Sequence, residues 1–207
     1  MDTKTRICQT AAWSLSALVT LLSIFVWGKS FDWHLSLNAY VLFPVLGLIA
    51  YGLMWSHYIM GTVKDLFKID GKALAQYYRF TGYAVLVLIC LHPGLLIYQR
   101  FRDGYGLPPH SYESYVAPGL GWVTLLGSAS LLVFLAFEFR RKFSDRSWWH
   151  FVPEAGDAAM LAIFYHGLRL GTQLQSGWFR YVWWFYGITL VAVLARSYGK
   201  KLRPAPA

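Results

Sequence analysis

Six apolar blocks dominate the chain, each 17 to 23 residues long and separated by short polar connections: Thr10–Trp27, Ala39–Gly61, Phe80–Tyr98, Gly119–Phe137, Glu154–Leu170 and Trp178–Ala195. As helices rising about 1.5 Å per residue, such blocks are long enough to cross a hydrocarbon core of roughly 30 Å. A strand-and-loop reading would leave backbone N–H and C=O groups unpaired in lipid, so the pattern predicts an all-α membrane protein, a six-transmembrane-helix bundle in one domain over residues 1–207. The overall balance agrees. Hydrophobic residues make up 57% of the chain and charged ones only 14%, where soluble domains carry about 25% charge. The first block is read as a retained helix, because Gly28-Lys29-Ser30-Phe31-Asp32 offers no small-residue cleavage pattern. The fifth opens with Pro153, Glu154 and Asp157, residues that suit the first turn of a helix. After Ala195 only twelve residues remain, so no appended soluble domain is expected.

The formal charge of +9 would raise the question of nucleic acid in a soluble chain. Here the basic residues lie between apolar blocks, where they set orientation instead. Lys4, Arg6, Lys64, Lys68, Lys72, Arg79, Arg140, Arg141, Lys142, Arg146, Arg196, Lys200, Lys201 and Arg203 fall on one side, 14 in all. The other side holds five: Lys29, Arg100, Arg102, Arg169 and Arg180. Basic loops tend to stay cytoplasmic, so both termini are expected there, with Arg100–Pro118 as the longest outer loop. Cys8 and Cys90 form no CxxC pair, so neither a disulfide framework nor thiol exchange is expected.

Histidines are the residues whose burial in such a bundle needs a reason. His92 lies about 18 Å along the third block and His166 about 18 Å along the fifth, on helices that run the same way. Two imidazoles at one depth can face each other across a flat cofactor, and bis-histidine ligation of haem iron saturates the metal and leaves electron transfer as its work. Gly94 and Gly167, each close to one histidine, would let the ring approach the backbone. The structural alternative is that each histidine merely hydrogen-bonds across helices. Neither a clustered carboxylate set nor a phosphate loop is present in the sequence to suggest another cofactor.

Tyr78-Arg79-Phe80-Thr81-Gly82-Tyr83, leading through an apolar run to Leu91-His92-Pro93, resembles the third helix of the ferric-reductase-like transmembrane domain family. Ser147-Trp148-Trp149-His150, leading to His166-Gly167-Leu168-Arg169-Leu170-Gly171, resembles its fifth. That family includes NADPH oxidases, six-transmembrane metalloreductases and the haem subunit of a periplasmic methionine sulfoxide reductase system. The resemblance covers the central helices and implies a haem b-binding domain in the bacterial inner membrane, with His92 and His166 as axial ligands of an outer haem.

Family members typically carry a second, inner histidine pair. Here the third-helix position falls on Tyr78, and the fifth-helix counterpart, His150, stands sixteen residues before His166 and ahead of Pro153. Two readings stay open: His57 and His150 clasp an inner haem, or His57 bonds a neighbouring helix and His150 sits in the interface. A flavin or quinone at the cytoplasmic side is a third option that the resemblance allows. Arg169, three residues after His166, is the first choice for a haem propionate, followed by Arg100 and Arg102. His34 and His110 are expected in solvated outer loops. Glu154 and Asp157 serve as helix-start acids, or as a proton or quinol site.

The expected function is passage of electrons across the membrane to an outer-face acceptor, as an electron-transfer subunit of an oxidoreductase system. With no nucleotide-binding domain in the sequence, the electron donor would be a flavoprotein reductase, a quinol or a partner redox subunit. The competing expectation, from a different class, is a structural or assembly subunit of a larger membrane complex without redox activity.

Overall fold

The computed structural model describes residues 3–34, 38–138 and 145–202, and these are helical with no strand among them. Six long helices coincide with the six apolar blocks and each runs past its block at one end or both: α1 (Thr3–Ser30), α2 (Ala39–Leu66), α3 (Ala75–Arg102), α5 (Gly121–Glu138), α6 (Phe151–Leu170) and α7 (Phe179–Lys201). A four-residue helix, α4 (His110–Glu113), interrupts the longest connection. Helical hydrogen bonding continues past the apolar residues because polar side chains at the ends lose nothing by it, which explains why hydropathy alone underestimates the lengths. Asn38 starts α2 by accepting the Val41 N–H at 3.0 Å. Pro44 and Pro93 lie inside α2 and α3 without ending either.

Three of these helices, α1, α2 and the segment through α3, are long and apolar enough to cross a membrane, and α5 holds a shorter apolar stretch, Gly121–Phe137. The last two blocks form helices of 20 and 23 residues, but α6 carries Glu154 and Asp157, while α7 carries Arg180, Arg196, Lys200 and Lys201. Large apolar side chains face outward along the bundle: Leu21, Phe80, Leu132 and Ile188 are 64 to 68% exposed. A water-soluble surface seldom bears such a band, whereas a lipid-facing one does. Of the basic residues used for orientation, Arg140, Arg141, Lys142 and Arg203 lie outside the described residues.

Contacts between elements far apart in sequence define the two ends of the bundle. At one, called the cap end, Gln173 reaches Ser30 at 3.1 Å, and Tyr40 donates to Asp103 at 2.7 Å. At the other, the tail end, Asp157 accepts from Tyr58 and Tyr198, both at 2.8 Å. The long helices therefore alternate in direction, with α2 packed mainly on α1 and α3, and α5 on α6. The core is strongly aromatic: the Tyr51 and Trp183 rings pack in a tilted arrangement at 4.4 Å between centroids, as do Trp55 and Tyr186. Near the tail end Ser16, Ser56 and Tyr77 join three helices through hydroxyl contacts of 2.7 to 3.3 Å. Buried hydroxyls in an apolar bundle need such mutual pairing.

Candidate functional site

Between the α2–α3 pair and the α5–α6 pair lies a cavity of about 430 Å³, within the range of small-molecule and cofactor sites. His92 enters it from α3 and His166 from α6. The two histidines matched in depth by sequence thus share one cavity, and their surroundings repeat. Nδ1 of His92 donates to the Phe43 carbonyl at 2.7 Å, and Nδ1 of His166 to the Val123 carbonyl at 2.9 Å. Because a carbonyl only accepts, the proton of each neutral ring is fixed on Nδ1 and the Nε2 lone pair stays available as a ligand. Four residues beyond each carbonyl, one helical turn along, stands a glycine against the same imidazole. A Cβ at Gly47 would come within 2.7 Å of His92 Cε1, and one at Gly127 within 2.7 Å of His166 Cε1. Each pair of helices therefore supplies one histidine, one carbonyl that orients it and one glycine that makes room.

These glycines were not legible in the sequence, which pointed instead to Gly94 and Gly167. Gly94 has open space around it, and Gly167 accommodates the Trp183 ring, whose Cζ2 a Cβ would meet at 2.5 Å. The cavity walls are chiefly apolar and aromatic, with Leu48, Ile89, Pro93, Leu96, Leu131, Phe134 and Trp183 among them. Among the described residues, no group of three or more His, Cys, Asp and Glu could hold a free metal ion. A metal that brings its own equatorial ligands needs only the two imidazoles.

The predicted cations separate. Arg169 lines the cavity and is exposed at its rim. Arg100 does not line it: 5% exposed, its guanidinium bonds the Ser111 carbonyl at 3.4 Å and the Ser114 hydroxyl, and stacks on the Tyr105 ring at 3.4 Å. Arg102 is exposed and also off the cavity. Arg100 instead pins down the segment from Asp103 to Pro118, whose Tyr112, Tyr115, Val116 and Ala117 roof the cavity. Gly104 and Gly106, at φ 85° and 76°, make the tight turn that brings Tyr105 back over Arg100. Burial, and then Tyr40, push the Tyr115 phenol above its ordinary range against the opposing pull of Arg100.

His57 and His150 are not brought together by any hydrogen bond, ring contact or shared cavity among the described residues. His57 bonds the Thr81 hydroxyl at 2.6 Å and meets the Tyr77 and Tyr78 rings edge-on. His150 is exposed, bonds the Ser147 carbonyl and packs on Phe151. His34 and His110 are exposed in the cap-end connections, His110 beside Glu113 at 3.5 Å. Asp157 is engaged by its two tyrosines, and Glu154 pairs with Lys201 at 3.5 Å. No protein-family model, curated protein or solved structure matches the chain.

Proposed function

We propose that this chain is a membrane cytochrome of b type that passes electrons toward an acceptor at the cap end. The observation that carries the proposal is the repeated histidine, carbonyl and glycine arrangement on two sides of one apolar cavity. A b-type haem would be held there by Nε2 of His92 and Nε2 of His166, and would supply one-electron redox chemistry. The protein's part is to hold the two neutral tautomers, keep water out with the aromatic roof and offer Arg169 to the macrocycle's carboxylates. The resemblance in the third and fifth helices supports the same assignment.

On this reading all six long helices span the membrane, both termini face the cytoplasm of a bacterial inner membrane, and the cap end is the outer one. The donor is a flavoprotein reductase, a quinol or a partner redox subunit at the basic tail end. One haem per chain is favoured over two, since His57 is committed to Thr81 and His150 stands in the open.

The test is spectroscopic. Purified protein should show a Soret band and, when reduced, an α-band, and His92→Ala or His166→Ala should abolish the bis-imidazole spectrum. A folded but colourless preparation would overturn the reading in favour of a structural or assembly subunit.

A further inference from the structure

Buried polar side-chain atoms without a partner in the protein are confined to one part of the described bundle. They are Tyr51 Oη, Thr124 Oγ1, Gln173 Oε1, Arg100 Nε and Ser111 Oγ. The first three belong to residues that line the histidine cavity, and the other two to Ser111 of the roof above it and to Arg100, which holds that roof. The tail-end half behaves oppositely, with Ser16, Ser56, Tyr77, Thr81 and His57 all satisfied by one another or by backbone. Each orphan in an apolar interior is destabilising unless something satisfies it. Three around one cavity mark a place that takes a ligand with polar substituents, in addition to the apolar surface its walls cover.

Each of the three has a defined setting. Tyr51 is 1% exposed, with its ring fixed on Trp183. Thr124 follows Val123, whose carbonyl holds His166, so its hydroxyl stands beside that ligand's anchor. Gln173 donates Nε2 to Ser30, whose hydroxyl hydrogen goes to the Trp27 carbonyl at 2.7 Å. Ser30 can therefore only accept from Gln173, which fixes the amide orientation and leaves Oε1 as the unpaired atom.

We infer that Tyr51, Thr124 and Gln173, with Arg169 at the rim, form a polar seat for the carboxyl groups of the planar cofactor held by His92 and His166. This inference rests on the haem reading above. The two hydroxyls donate to carboxylate oxygens, Arg169 offsets their charge, and Gln173 Oε1 accepts from a carboxylic acid proton or a bridging water. The histidines would hold the metal, while the seat would fix how the macrocycle is turned between them.

The experiment compares haem b with its dimethyl ester, whose carboxyl groups can neither carry charge nor donate. Full-length protein purified from haem-starved cells is titrated with each, following the Soret band. The wild-type chain should bind the free acid at least about tenfold more tightly, and the preference should fall to within about twofold in Tyr51→Phe/Thr124→Val, the bis-imidazole spectrum being retained. Equal binding of acid and ester by the wild type would overturn the seat and needs no variant to be seen, as would an undiminished preference in the double variant. If neither form gave a low-spin Soret spectrum, the haem reading itself would fail.

Discussion

Gly47 lies so close to the His92 imidazole that a Cβ at that position would stand 2.7 Å from Cε1 and 2.8 Å from Nδ1, the atom that donates to Phe43. The orienting hydrogen bond and the absence of a side chain are one device: the ring reaches the α2 backbone only because nothing projects there. Gly127 and His166 repeat it on α5.

Gly47→Ala and Gly127→Ala are expected to push their histidines out of register with little loss of helix. Overpacking of this kind costs about 1–3 kcal/mol. Under the haem proposal, electron paramagnetic resonance of the oxidised protein should show the low-spin signal giving way to high-spin iron in either variant. A low-spin spectrum unchanged in both would mean that the imidazoles are positioned by something other than these glycines.

Under the haem proposal, His57→Ala should keep the haem content of the wild type while lowering thermal stability. It leaves the Thr81 hydroxyl with only its bond to the Tyr77 carbonyl and opens a space between Tyr77 and Tyr78, a combined cost of about 2–4 kcal/mol. A pyridine haemochrome assay should read one haem per chain in wild type, His57→Ala and His150→Ala alike. A value of two in the wild type, falling to one in both variants, would restore an inner haem between them.

Arg100→Ala should release the roof. The guanidinium is the common partner of the Ser111 carbonyl, the Ser114 hydroxyl and the Tyr105 ring, so its removal frees three attachments of the 103–118 segment together. Limited digestion with chymotrypsin should then cut at Tyr105, Tyr112 or Tyr115 well before the wild type is touched. Arg100→Lys should not rescue the segment, because an ammonium lacks the planar fork and the stacking face. Equal digestion rates would show the roof to be held from elsewhere.

Asp157→Asn should loosen the tail end without touching the cavity. Both carboxylate oxygens are in use, one to Tyr58 of α2 and one to Tyr198 of α7, whereas an amide keeps a single acceptor. Losing one charged hydrogen bond and neutralising the other costs about 1.5–3 kcal/mol, to be read as a lower Tm. Haem content and the low-spin spectrum should stay at wild-type values, which separates this structural tie from a role in proton or quinol chemistry.

The amino-acid sequence by itself determined the helices and the two histidines. A helix satisfies its own backbone without a partner segment, a local requirement that apolar blocks of this length meet, and equal spacing from two block starts matched His92 with His166. What the cations and glycines do was decided only by the tertiary structure. Arg100 and Arg169 are both arginines near a helix end, yet one is folded under the roof and the other lines the cavity, because the path of residues 103–118 differs from that of 171–178. Gly47 and Gly127 lie 45 and 39 residues from the histidines they admit, and no periodicity links them. Their role depends on which helix packs against which, a property of side-chain packing between distant segments, whereas backbone hydrogen bonding is settled within each segment alone.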